Sequence, residues 1–130
     1  MKILVGYEES KVAQAALEVA LKHARAFEAD IFIVTVLEQS RELQKDDIDA
    51  VEDKLENLKK TLNLDDLVCE TYASVSYLAP GENLVEFARD NNIDEIVIGV
   101  KRRSKVGKLV FGSNAQYIIL NAPCPVVTVI

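Results

Sequence analysis

Apolar positions along this chain switch repeatedly between the two spacings that separate strands from helices. Residues 2–7 (Lys-Ile-Leu-Val-Gly-Tyr) form a short apolar run ending at Glu8 and Glu9, the pattern of a parallel strand covered on both faces. From Ser10 the spacing changes to three and four, through Ala13, Ala16, Leu17, Ala20, Leu21 and Ala24. That predicts an amphipathic helix to about Phe27, with Ser10 as its cap. His23 falls on this helix, where a solvated or helix-end position is expected. Residues 30–37 are β-branched and apolar throughout and read as a second strand. Over 46–62, Ile48, Val51, Leu55, Leu58 and Leu62 repeat at helical spacing between charged residues, in too few heptads for a coiled coil.

Residues 67–75 make a less apolar strand, which suits a sheet edge. Pro80-Gly81-Glu82 interrupts the chain, and Leu84, Val85, Phe87 and Ala88 define a third helix that ends near Asn91-Asn92. A strand over 93–99 follows, then a polar loop to Phe111. Gly112-Ser113 opens a last helix carrying Ala115, Ile118, Ile119 and Ala122; Pro123 and Pro125 stop it before a final strand over 126–130. Strands and helices alternate throughout. With right-handed crossovers this predicts one α/β domain over 1–130, an open five-stranded parallel sheet with helices on both faces.

Composition narrows the function classes. With 49% hydrophobic and 28% charged residues, the chain can bury a continuous core and remain soluble. Its apolar runs fall far short of the roughly 20 residues of a spanning helix, and its first residues are too briefly apolar for a signal peptide. No membrane association is expected, and the cytoplasm is the expected location. The net charge of −6 repels nucleic acid and anionic lipid. Yet of 15 basic residues, Lys101, Arg102, Arg103, Lys105 and Lys108 crowd one loop. A cationic loop on an acidic body suits a small anion better than a polyanion.

One His and two cysteines, Cys69 and Cys124, supply neither metal-ligand spacing nor a catalytic triad. Both thiols are expected to be buried and inert. In open parallel sheets ligands bind beyond the carboxyl ends of strands, where strand order reverses. That points to Gly6, Tyr7 and Glu8, to Val36, and to Gly99 with the loop leading to Gly112, Ser113 and Asn114. Gly99 lets backbone approach a ligand, and Gly112-Ser113 sets free amides and a hydroxyl at a helix start, where the dipole favours phosphate.

The run Gly99-Val100-Lys101-Arg102, nine further residues, then Gly112-Ser113, resembles the ATP-binding signature of universal stress proteins: Gly, two residues, Gly, nine residues, Gly, then Ser or Thr. The resemblance extends over the chain, through Ile3-Leu4-Val5, Ser10 and Ala16-Leu17 to the ending Ala122-Pro123-Cys124-Pro125-Val126-Val127. It implies a Rossmann-like, adenine-nucleotide alpha hydrolase-like fold with strand order 3-2-1-4-5. It also implies binding of ATP or another adenine nucleotide, with magnesium only alongside it, in a stress-response or regulatory role. In nucleotide-binding members an Asp after the first strand lies near the nucleoside, a Val ending the second contacts adenine, and the glycine loop holds phosphates. Glu8, Val36, Gly99, Gly112 and Ser113 match those positions. Arg102 replaces the second Gly, and Glu8-Glu9 replaces Asp-Gly. Arg102 either blocks the phosphates or pairs with them through its guanidinium, and two nearby carboxylates would repel a polyanion.

Catalysis is not expected beyond slow ATP hydrolysis. A phospho-receiver lacks an acceptor Asp, since Ser74-Val75 and Gly99 end the relevant strands. The alternative is a nucleotide-free interaction module: the outermost strand, 126–130, presents an apolar edge that a second copy would cover, and the resemblance implies this homodimer too.

Overall fold

A computed structural model describes residues 1–101 and 111–130. The elements run β1 (Lys2–Gly6), α1 (Lys11–Phe27), β2 (Asp30–Glu38), α2 (Lys45–Leu62), β3 (Cys69–Ser76), α3 (Pro80–Asp90), β4 (Glu95–Gly99), α4 (Ser113–Asn121) and β5 (Val126–Val129). All strands are parallel, in the order β3-β2-β1-β4-β5, so the order and the edge position of β3 follow the sequence expectation.

Alternation along each strand divides the core. Ile3 and Val5 point to one face with Ile31, Ile33 and Val97, under the alanine stripe of α1 and Leu55 of α2. Leu4 points to the other with Phe32, Val34, Ile96 and Ile98, under Leu84, Val85 and Ala88 of α3 and Ile118 of α4. Ile3, Leu4, Ile31, Ile33 and Ile96 have no solvent exposure, consistent with central strands covered twice.

Local rules set the helix ends. Ser10 Oγ accepts from the Ala13 N–H at 3.2 Å and caps α1 as expected. The Gln44 N–H donates to Asp47 Oδ2 at 2.9 Å, which starts α2 one residue earlier than the apolar spacing alone predicts. The strand expected from 67 begins at Cys69, because Val68 is exposed and gives only its carbonyl to Ile31 N–H at 2.9 Å. No described helix is long and apolar enough to cross a membrane.

Candidate functional site

Sheet order reverses at β1, which has β2 on one side and β4 on the other, so the crossovers diverge at the carboxyl ends of β1 and β4. A cleft of about 620 Å³ opens there. Its lining includes Gly6, Tyr7, Glu8, Val36, Gly99, Gly112, Ser113 and Asn114, so these sequence candidates are brought together. Arg102, the remaining candidate, lies outside the described residues. Lining residues not among the sequence candidates include Val12 and Ala13 of α1, Thr35, and Pro80 and Gly81 of α3, while Lys101 brings in the start of the basic loop. Pro80-Gly81 was legible as a break, but only packing brings the start of α3 beside that of α4.

The turn after β1 is held by Thr35 Oγ1, which donates to Tyr7 O at 2.8 Å, and by Tyr7 N–H, which donates to Val34 O at 2.8 Å. Ser10 N–H then donates to Glu8 O at 2.9 Å and brings the chain into α1. This separates the two carboxylates. Glu8 lines this cleft and also a second one beside α2, whereas Glu9 lines only the second and pairs with Lys54 at 3.4 Å. Of the two carboxylates expected near one site, only Glu8 lines this cleft.

Gly99 has a structural cause that sequence did not show. A Cβ there would sit 2.6 Å from the carbonyl oxygen of Val12, so the missing side chain lets the first turn of α1 seat on the end of β4. Gly112 is the N-cap of α4, with φ −67° and ψ 164°, and no side-chain cap bond is made there. Among the described residues no side chain caps the first turn of α4, the disposition an anion exploits. Asn114, in that turn, directs Oδ1 to the Gly81 N–H at 3.0 Å.

Other chemistry-bearing groups stand elsewhere. His23 Nδ1 is 2.9 Å from Glu95 Oε1, at the start of β4 and the opposite end of that strand from Gly99. The half-buried imidazole thus satisfies a buried carboxylate rather than merely meeting solvent. Burial raises the Cys69 and Cys124 thiols above the ordinary thiol range, and neither lines the cleft. Among the described residues, no group of three or more His, Cys, Asp or Glu is placed to hold a metal ion.

The sequence profile of the universal stress protein family matches residues 1–129. This chain belongs to the universal stress protein family. A universal stress protein of Thermus aquaticus is 29% identical over 133 residues, covering 98% of this chain and 96% of the relative. The structure of a universal stress protein from Archaeoglobus fulgidus superimposes with a TM-score of 0.83 at 27% identity, over 99% of this chain and 97% of that one. Two further universal stress protein structures share the fold. One, from Archaeoglobus fulgidus, is a complex with dAMP (TM-score 0.80, 23% identity, 99% and 96% of the two chains). The other is a complex with cAMP (TM-score 0.74, 24% identity, 100% and 97%). The adenine-nucleotide alpha hydrolase-like fold expected of a universal stress protein is therefore the fold observed.

Proposed function

We propose that this universal stress protein binds an adenine nucleotide in the cleft at the ends of β1 and β4, and that the binding serves a stress-response or regulatory role in the cytoplasm. The observation that carries the reading is the first turn of α4, without a side-chain cap among the described residues, opening on a cleft of about 620 Å³, a volume within the range of small-molecule sites. The residues fit such a ligand. Val36, near the end of β2, shares the cleft with apolar Ala13 and Leu84, suited to a base; Glu8 offers a carboxylate to ribose hydroxyls; Gly112, Ser113 and Lys101 offer amides, a hydroxyl and an ammonium to phosphate. Family members that hold dAMP and cAMP in related folds support adenine as the base.

Titration calorimetry of the protein with AMP, ADP, ATP, dAMP and cAMP tests this reading, with GMP as the control base. Saturable binding of at least one adenine ligand in preference to GMP is expected, and no binding by any of them would sink it. The variant Arg102→Gly, which restores the glycine of the signature, reports on the substitution: a gain in ATP affinity identifies Arg102 as an obstacle, and a loss identifies it as a phosphate partner.

The homodimer reading rests on β5, a sheet edge whose Val126, Val127 and Val129 are half-buried and whose neighbour Ile130 is exposed. Pairing with a second copy across a two-fold axis would cover that edge. Val127→Asp is expected to convert a dimer to a monomer in size-exclusion chromatography with light scattering. A variant that runs as the same dimer would exclude β5 as the interface.

A further inference from the structure

The first turns of α3 and α4 meet at the rim of the cleft and are capped very differently. α3 opens with Pro80, which has no amide hydrogen, after an Ala79 cap that makes no side-chain bond. Its next amide, Gly81 N–H, donates to Asn114 Oδ1 of α4 at 3.0 Å. The two backbones touch at this point: a Cβ on Gly81 would lie 2.7 Å from the Asn114 carbonyl oxygen and 3.0 Å from its Cα. Any larger residue at 81 would push α4 outward.

α3 is itself anchored. The buried Asn83 donates from Nδ2 to Ser74 O at 2.9 Å and accepts at Oδ1 from Ser74 Oγ at 2.8 Å, which fastens the turn to β3. The chain of contacts therefore runs from the sheet through Asn83 and Gly81 to Asn114, and ends in the uncapped turn of α4. A separate tie holds the far ends of the same helices, where Arg89 Nη2 donates to Asn121 O at 3.2 Å.

We propose that Asn114 is a positioning residue for the phosphate end of the cleft, holding the first turn of α4 at a fixed distance from the anchored first turn of α3. The proposal rests on the nucleotide reading above and changes the part Asn114 plays in it. Its side-chain oxygen is engaged by the protein, so the part assigned to it is the placement of the α4 amides, and contact through Nδ2 is the alternative that the test separates.

The test combines calorimetric titration of the full chain with AMP and adenosine and NMR hydrogen exchange at the Gly81 amide without ligand. Asn114→Ala is expected to speed exchange at Gly81 and weaken AMP about five- to tenfold, the effect of one lost hydrogen bond, while adenosine, lacking phosphate, changes less than about twofold. Asn114→Asp keeps an acceptor oxygen and is expected to restore slow exchange at Gly81. Gly81→Ala is expected to weaken AMP by a similar factor, with no further loss in the double variant, because both changes break one contact. Arg89→Ala, at the far tie, is expected to leave AMP binding unchanged.

Additive losses in the double variant, or weaker AMP binding with Gly81 exchange unaltered, would overturn the proposal in favour of direct contact. If Gly81→Ala does not fold, Asn114→Ala and Asn114→Asp decide alone, and equal Gly81 exchange in the two overturns it. AMP affinity unchanged in Asn114→Ala defeats the positioning role only. A wild type that binds none of AMP, ADP, ATP, dAMP and cAMP defeats the nucleotide reading and the proposal with it, and one that binds ATP but not AMP is tested with ATP in its place.

Discussion

Two clefts flank the carboxyl end of β1, and Tyr7, Glu8 and Thr35 line both. The first, of about 620 Å³, is rimmed by the starts of α3 and α4; the second, of about 460 Å³, is walled by the middle of α2 through Val51, Leu55 and Leu58, with Lys54 closing on Glu9 at 3.4 Å. They share a wall yet offer different chemistry. A helix start presents amides without intrahelical partners and the positive end of its dipole, whereas a helix flank presents only side chains, its backbone being paired within the helix. The part of the helix that faces the cavity, more than the composition of the shared wall, decides which cleft suits an anion.

Breaking the α2 wall should have the largest effect and leave the first cleft unaffected. Leu55 is the buried residue of α2, and Leu55→Ala is expected to cost about 2–4 kcal/mol in denaturant unfolding while AMP affinity changes less than about twofold. A matching loss of AMP affinity would mean that the two clefts are mechanically coupled. On the opposite side, Gly99→Ala places a Cβ 2.6 Å from the Val12 carbonyl oxygen. A loss of about 1–3 kcal/mol is expected, together with weaker AMP binding, because α1 must retreat from the first cleft. Unaltered stability would show that the α1–β4 approach is not tight.

The shared wall can be divided by charge. Glu8→Gln is expected to tighten ATP binding about two- to fivefold by removing a carboxylate from the cleft, an effect that shrinks at high salt. Glu9→Gln should leave ATP affinity as it is and alter stability by less than about 0.5 kcal/mol, since the Glu9–Lys54 pair is exposed. Equal effects of the two substitutions would show that both carboxylates reach the ligand.

The smallest expected effect lies at the start of β3, where Cys69 packs in the same core cluster as Leu55. Burial raises this thiol in the folded state, so folding favours its protonated form. Its contribution to stability is full below the ordinary thiol pKa and is lost as pH rises through the raised value. Under reducing conditions, unfolding midpoints should fall between neutral pH and pH of about 10, and Cys69→Ala should make that fall shallower. Identical slopes would remove Cys69 from the pH response.

Much of the fold was legible because strand and helix periods are local. Ile3-Leu4-Val5, the alanines of α1 and the prolines after α4 mark their elements within a few residues, and right-handed crossovers order them into a parallel sheet. The general location of the cleft follows from the same rule, with Gly6, Glu8, Val36, Gly99 and Gly112 gathered at strand ends and a helix start. Side-chain partners were not legible in this way. Glu8 and Glu9 are adjacent in sequence, yet only Glu8 lines the cleft of about 620 Å³, while both line the second.

What the sequence by itself determined is the α/β order, the doubly covered core and the end of the sheet where the cleft opens. Tertiary structure decided what each residue does there. Gly99 admits the backbone of Val12, Asn114 holds Gly81 across 33 positions of chain, and His23 meets Glu95 across 72. Periodicity is written into neighbouring residues by backbone geometry, but contacts over such separations exist only after helices have packed on the sheet, at distances set by the volumes of side chains far away in the chain.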